Sequence, residues 1–245
     1  MTAPPSKDDI RERVWSLLDE RGVSRFPRPA RGRIPNFEGS DRASERVLRM
    51  PEFRGAEVVK VNPDYPQVGI RRGALRAGKL LVMPTPRLGK GFLMLDPGEI
   101  HERDRARAAT IRGSFSFGVQ TPVADIPPID LVVCGSVAVT EGGVRVGKGG
   151  GYSEIEYAVL ASLGKVDGGT PIVTSVHELQ IVPEAPMEEH DFTIDYIATP
   201  ARLVRMTGPR KRPVGIIWER LSEERLASIP ILREMRDSHN VTNPY

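Results

Sequence analysis

Asp130-Leu131-Val132-Val133-Cys134-Gly135-Ser136-Val137-Ala138-Val139 is followed, after Thr140 to Val144, by Arg145-Val146-Gly147-Lys148-Gly149-Gly150-Gly151-Tyr152. Next comes Ser153-Glu154-Ile155-Glu156-Tyr157-Ala158-Val159-Leu160-Ala161-Ser162-Leu163. The first stretch, within the apolar run from Ile129 to Val139, reads as a buried strand. The second reads as a glycine-rich turn, and the third as a helix. A strand, a glycine loop and a helix start make an anion site. Backbone N–H groups approach the anion without Cβ interference, and the helix N-terminus favours negative charge. Phosphate or nucleotide binding is the first expectation.

Outward from this stretch, short apolar runs alternate with helical patterns. Ser6 to Arg21 reads as a helix, with Ser6 as N-cap, Asp8 and Asp9 in the first turn, and Gly22 as the stop. Ile10, Val14, Leu17 and Leu18 form its apolar stripe. Val23 to Gly39 reads as loop. Further helices are expected over Ser40 to Arg49 and Val68 to Ala77. Strands are expected over residues 57–61, 79–83, 92–95, 171–176, 180–182 and 192–198. Beyond Thr199, residues 214–218 suggest an edge strand and 222–226 a short helix, followed by a polar tail. Strands separated by helices predict an α/β fold: a mostly parallel sheet with helices on both faces. The glycine loop would sit at the carboxyl end of the 129–139 strand.

Composition narrows the class. The 245 residues include 39% apolar and only 6% aromatic side chains, enough for one aliphatic core. The 35 basic and 32 acidic residues nearly cancel, which argues against a nucleic-acid partner. The single cysteine excludes an internal disulfide and fits a reducing compartment. No apolar run reaches the roughly 18 residues of a spanning helix, and Met1 to Lys7 has no apolar core of a signal peptide. These features predict a soluble cytoplasmic protein; the oligomeric state stays open.

Several groups could carry chemistry. The loop is neither a Walker A motif, since no Ser or Thr follows a terminal Lys, nor a dinucleotide G-x-G-x-x-G. Lys148 inside it and Arg145 at its entrance supply charge for an anion. Lys7 and Arg11 share a helix face and could clamp phosphates, or simply face solvent. Glu154 and Glu156 could hold a divalent cation, or only favour the helix N-terminus. His190-Asp191, after Glu188-Glu189, could be an acid or metal site, or a solvated loop. The four histidines lack zinc-ligand spacing, and no G-x-S-x-G elbow is present.

Taken together, these segments resemble the 5-formyltetrahydrofolate cyclo-ligase family. There an apolar strand leads to an Arg-Leu-Gly-x-Gly-x-Gly-Tyr-Tyr-Asp-Arg signature, matched by residues 130–152. The family's closing Gln, Pro and His-Asp pattern is similar to Gln180 to Pro183 and Pro186 to Thr199. Its opening Lys-x-x-x-Arg matches Lys7 and Arg11, and its middle matches Ala74 to Lys79. Ile34-Pro35-Asn36-Phe37 and Lys60-Val61-Asn62-Pro63-Asp64 resemble a divergent, cyclo-ligase-domain-like branch.

The resemblance implies a three-layer α/β domain over residues 1–200, with residues 201–245 as a C-terminal extension. It implies ATP and Mg²⁺ as cofactors and a reduced folate as substrate. Lys7, Arg11, Arg145, Gly147, Lys148, Gly149, Gly150 and Gly151 would hold the phosphates together with Tyr152. Lys148 and Tyr152 would be catalytic, Asp64 and Tyr152 would meet the substrate, and Glu154 and Asp191 would hold the metal. The chain departs from the signature at Ser153, Glu154 and Ile155, and at Thr140, where the family often has Asp. Three functions follow: ATP-dependent cyclisation of 5-formyltetrahydrofolate, ATP activation of a different formamide or carboxylate by the same fold, or a non-catalytic member binding RNA or a partner through Arg205, Arg210, Lys211, Arg212 and the arginines of residues 21–33.

Overall fold

The structure, a computed structural model, describes residues 5–242. The signal-peptide reading of Met1 to Lys7 therefore lies mostly outside the described residues, as do residues 1–4 of the expected domain and 243–245 of the extension.

The first helix, α1 (Lys7–Glu20), starts on a reciprocal capping box. Ser6 Oγ accepts from the Asp9 N–H at 3.2 Å, and the Asp9 carboxylate accepts from the Ser6 N–H at 3.0 Å. Ile10, Val14, Trp15 and Leu18 are buried, whereas Leu17 is only partly covered. A two-residue ribbon, β1 (Ser24–Arg25) with β2 (Asn36–Phe37), lies inside the expected loop. Then follow α2 (Ser40–Leu48), α3 (Pro51–Gly55), β3 (Val58–Val61), α4 (Val68–Arg76), β4 (Leu80–Pro84) and β5 (Phe92–Leu95). Two helices of the Arg- and Gly-containing stretch, α5 (Arg105–Ala108) and α6 (Ile111–Phe117), precede β6 (Val119–Thr121).

The decisive apolar run splits in two. Its first half is β7 (Leu131–Cys134) and its second is β8 (Ala138–Thr140), and the two belong to different sheets. The turn between them passes Gly135, where a Cβ would lie 2.8 Å from Ile34 and 3.0 Å from Asp64. Only glycine lets the backbone turn there so close to its neighbours. Next come β9 (Arg145–Val146), α7 (Tyr152–Ser162), β10 (Ile172–Ser175), β11 (Ile181–Val182), β12 (Tyr196–Ala198), β13 (Leu203–Arg205), α8 (Glu223–Ser228) and α9 (Pro230–Thr242).

The main sheet has the order β13-β12-β10-β7-β3-β4-β5-β6. Its middle five strands, β12 to β4, are parallel, and β13, β5 and β6 are antiparallel additions at the edges. Alternate residues of β7 point to opposite faces, as the pleat requires. Val132 and Cys134 pack with Tyr157, Val159 and Leu160 of α7. Leu131 and Val133 pack with Val47 of α2 and Ile70, Ala74 and Leu75 of α4. Helices on both faces of a mostly parallel sheet are the three layers the sequence predicts. The small sheet, ordered β11-β8-β9, is covered by α1 through Ile10, Val14 and Trp15.

Two expectations fail beyond Thr199. Residues 214–218 form no strand: Val214 is 94% exposed, and the edge strand is β13 instead. The tail read as polar is the helix α9, with Leu232 and the preceding Ile229 fully buried beside Leu226.

Candidate functional site

The carboxyl ends of β3 and β4 and the segment after β9 enclose a cavity of about 570 Å³. All of the phosphate, substrate and metal candidates named from the sequence line it: Lys7, Arg11, Asp64, Arg145, Gly147 to Tyr152, Glu154 and Asp191. The loop follows β9 of the small sheet rather than the 129–139 run. It therefore reaches the end of the parallel sheet from the side.

Two loop glycines adopt positive φ, Gly149 at +95° and Gly151 at +64°. Side chains rarely tolerate this conformation. Gly151 is the N-cap of α7, so the loop delivers its backbone straight into a helix start.

Cations reach the loop from three directions. The α1 face that could have been solvated is turned inward, with Lys7 and Arg11 side chains only 16% and 12% exposed. The Lys7 ammonium contacts Asp191 at 2.6 and 2.9 Å and Glu188 at 3.1 Å. Arg11 Nε donates to the Gly147 carbonyl at 2.7 Å, tying α1 to the loop. Lys148 is different. Its side chain is 45% exposed, and its one carboxylate neighbour, Asp64, lies 3.5 Å away. Of the three, Lys148 is the most available to an incoming anion.

Arg145 is buried beneath the loop. Its Nε and Nη2 donate to the Gly135 carbonyl at 2.9 and 2.7 Å, and Nη2 also reaches Ser153 Oγ at 3.1 Å. Its Nη1 pairs with Glu154. Burial is the largest influence and alone would lower its pKa, but Glu154, Cys134, Glu156 and Asp64 together outweigh burial and raise it. Arg145 stays charged, bracing the loop from below.

A second buried pair forms the floor, and the sequence reading did not find it as a unit. Lys60 Nζ lies 2.6 Å from Glu156 and 2.8 Å from Asn62 Oδ1, and Asn62 Nδ2 donates to Glu156 at 3.1 Å. Glu156, considered above as a cation ligand, is thus committed inward. Burial pushes its carboxyl pKa up, and Lys60 opposes the shift. A lysine inside the apolar strand Val58–Val61 was the available signal, because buried lysines need partners. Arg71 is also fully buried and donates to the carbonyls of Asn62, Asp64 and Ala109 at 2.6, 2.9 and 2.7 Å. It fixes the turn that presents Asp64. Burial lowers its pKa to about 10.

The carboxylates divide unequally. Glu188, His190 and Asp191 place ligand atoms within 4.8 Å of one another. Of the two metal candidates, Asp191 is in this group, whereas Glu154 is paired with Arg145. The oxygen donors of Glu188 and Asp191 suit a hard cation such as Mg²⁺. No helix among the described residues is long and apolar enough to cross a membrane.

Residues 3–200 match the model of the 5-formyltetrahydrofolate cyclo-ligase family. The chain is 45% identical over 235 residues to the methenyltetrahydrofolate synthase domain-containing protein of Bos taurus, covering 94% of this chain and 62% of that protein. It is 43% identical over 235 residues to the Homo sapiens counterpart, covering 94% and 61%. The chain thus spans a little over three fifths of the length of these curated relatives. The NMR structure of Aquifex aeolicus 5,10-methenyltetrahydrofolate synthetase is similar over 84% of this chain and 95% of that one, with a TM-score of 0.53 at 18% identity. That likeness shows the shared α/β fold.

Proposed function

Because the chain belongs to the 5-formyltetrahydrofolate cyclo-ligase family, we propose that it cyclises 5-formyltetrahydrofolate to 5,10-methenyltetrahydrofolate at the expense of ATP. The observation that carries the reading is the glycine loop at the start of α7, opening on one cavity lined by both cations and carboxylates. When bound, ATP supplies a phosphoryl group to the formyl oxygen; N10 then closes the ring on the formyl carbon, loses its proton and expels phosphate, leaving ADP.

The residues divide the work by position. Lys148, with the loop backbone and the α7 N-terminus, neutralises the phosphoryl oxygens as charge moves onto them. Arg11 holds the loop through Gly147, and Arg145 holds it through Gly135 and Glu154. Lys7 bonds both oxygens of the Asp191 carboxylate and fixes its orientation. Asp191 with Glu188 and His190 would hold Mg²⁺, and Glu154 contributes through Arg145. Asp64 and Tyr152 line the wall facing the folate. The buried Lys60, Asn62 and Glu156 keep the floor dry and fixed.

The test incubates purified protein with Mg-ATP and 5-formyltetrahydrofolate while following the near-ultraviolet absorbance of the methenyl product and the release of ADP. Product formed only with ATP supports the proposal. Nucleotide binding without product would move the activity to another formamide or carboxylate. Absence of nucleotide binding would refute an ATP-dependent reaction.

A further inference from the structure

The extension closes a second cavity, of about 300 Å³, against the first turns of α7. Its wall is mainly hydrocarbon: Ile155 and Ala158 from α7, with Ile216, Ile217, Leu221 and Leu232 from the extension. Arg220 and Arg225 supply the positive charge at its lining. It shares Gly151, Glu154 and His190 with the larger cavity, so a long ligand can occupy both.

This wall is anchored. The Ile216 N–H donates to Ser162 Oγ at 3.1 Å. The Arg212 guanidinium is buried 2.6 Å from Asp195. Leu226, Ile229 and Leu232 are part of the main core. At the boundary between the cavities, the Arg225 guanidinium lies 4.8 Å from the Tyr152 ring centroid. It has no carboxylate partner among the described residues. A guanidinium held over an aromatic ring without a counter-charge can bind an anion.

We propose that this second cavity receives the p-aminobenzoylglutamate end of the substrate, an aryl amide that terminates in carboxylates. The inference rests on the folate reading above. A reduced folate has two chemically distinct ends. With the formyl-bearing ring against Asp64 and Tyr152, where its formyl oxygen meets the phosphoryl group at the loop, the benzamide ring extends past Gly151 along α7. The apolar wall suits the ring, and the arginines suit the carboxylates. Glu154 does not repel them, because Arg145 neutralises it. A purine base in the same place would turn its ring nitrogens to hydrocarbon, which costs hydrogen bonds. Residues 213–232 lie outside the family match of 3–200, so this chain's extension supplies most of the subsite.

The test measures p-aminobenzoylglutamate binding to the full chain by titration NMR, beside calorimetry with 5-formyltetrahydrofolate. Ala158→Leu fills the cavity from the helix, and Arg225→Gln removes a partly buried cation; thermal melting checks that both remain folded. The expected result is fragment binding by the wild type that weakens roughly tenfold or more in each variant. p-Aminobenzoate, lacking the glutamate, should bind more weakly than the full fragment. Fragment affinity unchanged by either folded variant overturns the subsite, as does 5-formyltetrahydrofolate binding without any fragment binding, and in both cases the folate reading survives. Fragment binding that is lost in the variants, with no binding of 5-formyltetrahydrofolate, would sustain the subsite and refute the folate reaction. Binding of neither compound refutes both.

Discussion

Lys60→Met should destabilise the protein by about 3–5 kcal/mol at neutral pH, the range for removing one partner of a buried ion pair. The side chains of Lys60 and Glu156 are only 3% and 6% exposed and lie 2.6 Å apart. Without the ammonium, Glu156 keeps the Asn62 Nδ2 donor at 3.1 Å and, among the described residues, no cation at that distance. Burial already raises the Glu156 pKa above the ordinary value of 4.5, and losing Lys60 raises it further. A raised carboxylate pKa means that the folded state binds the proton more tightly than the unfolded state. Stability therefore falls as pH rises from about 4.5 through the folded pKa, and the full loss is present above it. The gap between variant and wild type should be widest near neutrality and narrow toward about pH 5. For a chain of this size the loss corresponds to roughly 6–20 °C in unfolding temperature. Thermal and urea unfolding across pH would measure it. Lys60→Met combined with Glu156→Leu should recover most of the stability, since an apolar pair can replace a buried ionic one. A single-variant loss below about 1 kcal/mol, or one flat with pH, would refute the reasoning by showing that Glu156 is solvated in the variant.

Lys148→Ala should weaken ATP binding about tenfold with little change in stability, because the side chain is half exposed and loosely paired; unchanged calorimetric affinity would remove it from the phosphate site. Asp191→Asn should raise the magnesium needed for half-maximal turnover about tenfold, and Glu154→Gln should raise it less, because Glu154 is committed to Arg145. Equal shifts would contradict the assignment of the cation to the Glu188, His190 and Asp191 group. Arg71→Lys should destabilise by about 2 kcal/mol, since an ammonium cannot reproduce the fork that holds three carbonyls. Denaturant midpoints matching the wild type would show that the turn before Asp64 holds itself.

The sheet was largely legible because its strands are short apolar runs bounded by Gly and Pro, as at Leu80–Pro84, and its helices carry clear starts, as at Ser6. The split of the 130–139 run was not legible. Both halves are apolar because each is buried in a different sheet, and composition cannot distinguish one long strand from two. Residues 214–218 misled for a related reason: Ile216 and Ile217 are apolar because they face α7 and the second cavity, not because they pair with a strand. The helix Pro230–Thr242 was obscured by its charges, since only a narrow stripe including Leu232 is buried. At the site, loop and cations were legible through their residue types and the family signature. The partners were not, because Lys60 and Glu156, or Arg71 and Ala109, meet only when distant elements fold together.

Arg145 bonds the turn at Gly135, the residues that begin α7, and, through a ring contact of 5.4 Å, Phe192. The glycine-loop end of the cleft is thereby held in shape before anything binds, and little ordering is left to offset binding. The adjoining second cavity is held mainly by other residues, 210–232, through Asp195, Ser162 and the Leu226 core. Two neighbouring cavities braced largely by different residues can diverge separately. A lineage could reshape the wall that greets the acceptor while inheriting the phosphate end intact, and a protein engineer seeking a new acceptor should start from the extension.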